Sequence, residues 1–146
     1  MFSSCGDRPF LEYRQSSYNP INQVPMHSEI GYLRFPSPVI DGRQSVECLL
    51  TSPIGLCEVL EGEFRHESTQ NQTIILELKT RETAKSSSID AVHAKGTHRI
   101  YRFSLDSDQA CLRVDYRIDL ETSSTPLTKH IENSLIRQTS PNESLK

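Results

Sequence analysis

Residues 110–120 read ACLRVDYRIDL, in strict alternation. Ala110, Leu112, Val114, Tyr116, Ile118 and Leu120 fall on one side, and Cys111, Arg113, Asp115, Arg117 and Asp119 on the other. Successive side chains of a strand point to opposite faces, so this segment predicts a long strand with one wet face. Upstream, RIYRFSL carries Tyr101, Phe103 and Leu105 at the same spacing, and Asp106-Ser107-Asp108 is a turn signal between the two segments. Together they predict an antiparallel hairpin. The same alternation recurs more weakly at 10–18, 28–35, 45–51, 56–64 and 73–81. Asp41-Gly42, Ser52-Pro53, residues 66–72 and residues 84–97 punctuate these runs. About eight strands joined by short turns, with no long helix, predict an all-β, antiparallel up-and-down meander. Closure into a barrel is the usual way for such a sheet to remove its edges.

The last element, STPLTKHIENSLIR at 124–137, resists this reading. Leu127, Ile131 and Leu135 fit a helical stripe and fit alternation equally well, so pattern leaves strand and helix both open. If it is a strand, His130 shares a side with Thr128, Glu132, Ser134 and Ile136, a mostly polar set. Alternation then points His130 outward.

Composition narrows the function. A chain of 146 residues suits one domain, expected over 1–138, with a polar and flexible tail at 139–146. A net charge of −3 without any run of Lys or Arg argues against nucleic acid as a partner. No apolar stretch approaches a membrane span of about 20 residues, and the N-terminus has no signal-like apolar region. The expected location is cytoplasmic or nuclear. Cys5, Cys48, Cys57 and Cys111 form no CxxC pair and are expected to be free thiols.

None of the five histidines, His27, His66, His93, His98 and His130, sits in an HxH or HExxH pattern, which speaks against a zinc site. GxSxG, GxGxxG and GxxxxGK are all absent. The residues alone therefore describe a soluble β-barrel of unspecified ligand. Barrels of this size hold one small ligand in a mostly apolar interior. A porphyrin iron would need one axial imidazole and apolar walls, which single histidines beside apolar residues can supply. An ordinary surface histidine looks the same in sequence.

Three ordered pieces add to this reading: VPMHSEIGYLRF at 24–35, GLCEVLEGEF at 55–64 and STPLTKHIENSLIR at 124–137. They resemble the nitrobindin family, and most of all the heme-binding β-barrel domain found at the C-terminus of a THAP-domain-containing protein. The resemblance spans residues 6 to about 137. Its most distinctive part is Pro25, Met26, His27, Glu29, Gly31, Tyr32 and Arg34. It implies a lipocalin-like barrel of ten strands with a ferric heme b in its mouth, the iron held by a histidine on the last strand, here His130. It also implies that Met26 and His27 line the heme cavity. A pocket methionine of the family becomes Leu120, which keeps volume and apolarity, and a cavity glutamine becomes Ser52. Glu29 and Arg34 could pair across strands, and Gly31 could mark a bulge or a close backbone approach.

The family opens with a Gly-x-Trp-x-Gly-x-Gly segment, whereas this sequence contains no Trp. The resemblance implies that about a strand and a half to two strands are missing at the start, leaving unpaired edges and a wetter cavity. The functional expectation is a ferric heme protein that binds nitric oxide and isomerises peroxynitrite to nitrate. Its alternatives are a non-catalytic barrel for a fatty acid or other apolar ligand, and a shortened form without heme binding. Dimerisation through the open edges is a further expectation.

Overall fold

In a computed structural model, residues 2–5, 8–53, 55–67, 73–87, 94–106 and 111–136 are described. They form nine antiparallel strands: β1 (Phe2–Cys5), β2 (Arg8–Tyr18), β3 (Pro25–Arg34), β4 (Arg43–Ser52), β5 (Leu56–His66), β6 (Ile74–Lys85), β7 (Ala94–Asp106), β8 (Cys111–Thr122) and β9 (Thr128–Ile136). They lie side by side in chain order in one sheet. Each alternating segment is a strand, and the four-residue β1 adds one that the pattern did not show. The 99–105 and 110–120 segments pair as expected, with Tyr101 opposite Tyr116 and Phe103 opposite Val114. The ambiguous last element is a strand, pairing from Arg113↔Ile136 to Leu120↔Thr128. The tail at 139–146, His93, and the side chains of Cys5 and Cys111 lie outside the described residues; Cys48 and Cys57 are free thiols.

Alternation sorts the two faces. Leu33, Val46, Cys48, Leu50, Leu60, Leu76, Leu78, Tyr101, Tyr116 and Ile118 are buried together on the concave side. Leu60 is 0% and Leu78 2% exposed, and full burial of such a side chain contributes about 1.5–3 kcal/mol. Phe35, Phe64, Phe103 and Tyr101 follow one another across this face at centroid distances of 6.0, 6.2 and 6.5 Å. The sheet curls tightly enough for side chains of β2 to meet β8, where Gln15 Nε2 donates to the Tyr116 hydroxyl at 3.2 Å. Gly31 permits this packing: a Cβ there would stand 1.9 Å from the Leu49 carbonyl oxygen, so the position is a close backbone approach.

The curl stops short of hydrogen-bonded closure. Among the described residues β1 and β9 are the two sheet edges, with no ladder between them. β1 pairs only with Arg8–Leu11 of β2, so beyond Leu11 the outer edge of β2 has no strand partner among those residues. A seam therefore runs between β2 and β9, bridged by the Gln15–Tyr116 contact.

Candidate functional site

The turns after β2, β4 and β8 share one end of the sheet. All five residues expected from sequence lie at that end: Met26 and His27 at the start of β3, Ser52 at the end of β4, Leu120 near the end of β8 and His130 near the start of β9. Counting along each strand from its buried residues, His27 follows the face of Glu29, Ser52 that of Leu50, and Leu120 that of Ile118. The Ser52 hydroxyl is buried and has no hydrogen-bond partner among the described residues. A buried, unpaired polar atom costs about 1–3 kcal/mol, so something that hydrogen-bonds would be welcome there.

Met26 and His130 share a feature that alternation could not reveal. On β3, Ser17 pairs with His27 and Tyr18 with Pro25, so Met26 is the extra residue of a bulge. On β9, Ile118 pairs with Ile131 and Asp119 with Lys129, so His130 is the extra residue of another. A bulge breaks the ladder locally and re-aims a side chain. His130 is exposed and has no hydrogen-bond or ion-pair partner among the described residues. Met26 is 69% exposed, and Tyr18, Ile21 and Val24 in the adjoining turn are exposed as well. The same end thus carries an uncovered apolar surface of the kind that marks a ligand or partner site.

Beneath this end lies a layer of buried charge. Glu29, Glu58 and Arg99 are 3%, 5% and 4% exposed. Arg99 donates from Nη1 to Glu29 Oε1 at 2.8 Å and from Nη2 to Glu58 Oε2 at 2.9 Å. Thr80 and Thr97 each donate to Glu58 Oε1 at 2.9 Å, and the Tyr13 hydroxyl donates to Glu29 Oε1 at 2.8 Å. Burial pushes the Glu29 pKa upward, but the charge of Arg99 and hydrogen bonds from Arg99 and Tyr13 outweigh it and hold the carboxyl below its usual range. Burial likewise works against the Arg99 charge and is overcome by Glu29 and Glu58, so the guanidinium is held above its ordinary value. His27 Nε2 stands 3.3 Å from Glu29 Oε2, which ties the imidazole to this layer.

Sequence reading missed the layer. It offered Arg34 as the partner of Glu29, but Arg34 lies on the outer face beside Glu47 at 3.7 Å, and Glu29 turns inward to Arg99. The signal was present in RIYRFSL, where alternation places Arg99 on the side of Tyr101 and Phe103. Glu58 is legible in the same way, between Leu56 and Leu60 on one face of β5.

On the far side of the layer is an apolar cavity of about 700 Å³, walled by residues such as Leu33, Leu50, Leu76, Phe103 and Tyr116. Met26, His27, Ser52, Leu120 and His130 do not line it. Among the described residues no group of three or more His, Cys, Asp or Glu stands ready to hold a bare metal ion. A porphyrin brings four nitrogens of its own and asks the protein for a single imidazole. An unpartnered His130, an inward His27, apolar Leu120 and Met26 and an orphaned Ser52 hydroxyl fit that requirement.

Residues 1–137 match the family described as THAP4-like, heme-binding beta-barrel domain. The peroxynitrite isomerase of Nocardia farcinica is 31% identical over 130 residues, covering 89% of this chain and 68% of that protein. Peroxynitrite isomerase 2 of Mycobacterium bovis is 32% identical over 139 residues, covering 94% of this chain and 76% of the other. The crystal structure of Rv2717c from M. tuberculosis superposes with a TM-score of 0.76 at 29% identity, over 94% of this chain and 77% of that one. The chain belongs to the family of THAP4-like, heme-binding β-barrel domains, the nitrobindins.

Proposed function

We propose that this protein holds a ferric heme b at the end of the sheet carrying His27 and His130, binds nitric oxide there and isomerises peroxynitrite to nitrate. The observation that supports it most is the convergence of Met26, His27, Ser52, Leu120 and His130 on one end, with His130 unpaired in a β-bulge. His130 would hold the iron through its imidazole. Its place in a bulge frees it from the inward or outward choice that alternation imposes. Leu120 and Met26, with Tyr18, Ile21 and Val24 from the neighbouring turn, give a flat apolar ligand surface to lie against.

The ferric iron, when bound, supplies the electrophilic centre at which nitric oxide or peroxynitrite is taken up, the latter leaving as nitrate with no net gain or loss of electrons. The chain contributes positioning. His27 is held by Glu29, itself fixed by Arg99 and Tyr13, and so presents its other ring nitrogen to a bound anion or to a propionate from a fixed direction. The Ser52 hydroxyl, buried and without a hydrogen-bond partner among the described residues, is available for a further hydrogen bond. The isomerisation rearranges atoms within one molecule, so no protein acid or base has to change protonation state over the cycle.

Hemin titration of the purified protein tests the reading. A saturable Soret band is expected, with loss or displacement of that band in His130→Ala. A featureless titration, or an identical band in the variant, would overturn it.

A further inference from the structure

We propose that the apolar cavity on the far side of the Glu29–Arg99–Glu58 layer is a second binding site, which takes an aliphatic monocarboxylate with its chain inside and its carboxylate at the rim. The site is independent of the heme reading, because none of Met26, His27, Ser52, Leu120 and His130 lines it. Glu29, Glu58 and Arg99 do not line it either, so the cavity does not reach the buried charges.

Size and chemistry select the ligand. A cavity of about 700 Å³ lies within the range of roughly 300–1,000 Å³ typical of small-molecule sites. The space is partly open to solvent, so a hydrocarbon chain lying in it would take its apolar walls out of water. Its walls are aliphatic and aromatic, and even the Cys48 thiol among them stays neutral, pushed up to about 12 by burial. Such walls accept a hydrocarbon chain and have little to offer a polar body.

Charge appears only among the side chains that can stand at the rim. Arg14, Arg65 and His66 contribute basic groups against one acid, Glu12. Arg65 is engaged by Glu63 and Glu77 at 3.4 and 3.3 Å, whereas Arg14 is 68% exposed and meets Glu12 at 3.7 Å. Arg14 is thus the cation with most freedom to meet a carboxylate. The way in is the seam: Leu11 through Gln15 of β2 line the cavity on one side and Leu135 of β9 on the other, where the two strands are not paired.

The test uses 11-(dansylamino)undecanoic acid with the 146-residue chain. Saturable fluorescence enhancement at one probe per chain is expected, displaced by dodecanoate and less well by dodecanol. His130→Ala should bind the probe unchanged, and prior loading with hemin should leave the enhancement in place. Leu135→Trp, which crowds the mouth, should weaken the probe about tenfold. Arg14→Glu, on an exposed side chain that leaves the core untouched, should weaken the acid about threefold and leave dodecanol unaffected. No saturable enhancement, or displacement of the probe by one equivalent of hemin, would overturn the second site. Probe binding without any Soret band would overturn the heme reading alone, and the reverse pattern would overturn this one alone.

Discussion

Arg99 sits between two carboxylates in a setting 4% exposed to water, so its removal would strand Glu29 and Glu58 without their cation. Breaking a buried pair from one side costs about 3–5 kcal/mol, and the contact between Glu29 and His27 carries the disturbance to that imidazole. Glu29 makes the layer sensitive to acid. Its folded pKa is lowered from 4.5, so its contribution to stability is fully present above that ordinary value and is lost as pH falls below it. Urea unfolding midpoints of wild type should therefore fall more steeply below about pH 4.5 than those of Glu29→Gln. Parallel slopes in the two proteins would contradict the assignment. The residues of this layer were readable as charges on apolar faces; their convergence was not, because Glu29, Glu58 and Arg99 belong to three strands and meet only through curvature of the sheet.

The sheet elements divide into a core and two edges. Strands β4 to β7 have neighbours on both sides, while β1 and β9 have one each. An unpaired edge exposes N–H and C=O groups to water and opens at low free energy. Amide hydrogen exchange should therefore be slowest in β4–β7 and fastest in β1 and β9, and hemin should slow exchange around Lys129–Ile131 of β9. Equal protection of β9 and β6 in the free protein would mean that the seam is closed in solution by another strand. Alternation located strands β2 to β8 and left β9 open between strand and helix, because the side-chain period is a property of the local backbone and is short and mixed there. It could not place His130, since a bulge depends on how two separate strands meet. The four-residue β1 escaped notice because so short a stretch shows almost no period.

At the scale of the whole molecule, the apolar cavity and the end of the sheet that carries His27 and His130 share no lining residue. If they are separate, their ligands stabilise the fold additively: the rise in melting temperature with saturating hemin plus dodecanoate should equal the sum of the two single rises. A combined rise no larger than the greater single one would mean a single shared chamber. The order of the residues was enough to establish all-β content, a meander and the two faces of the strands before the last, which local period carries, and its ordered motifs carried the resemblance to the family. The buried layer, the bulge that frees His130, the cavity and the open seam came from the fold. They depend on register and curvature, which bring β2 to β8 and β3 to β7 across long stretches of chain. Alternation tells which way a side chain points, and only pairing and curl tell what it points at.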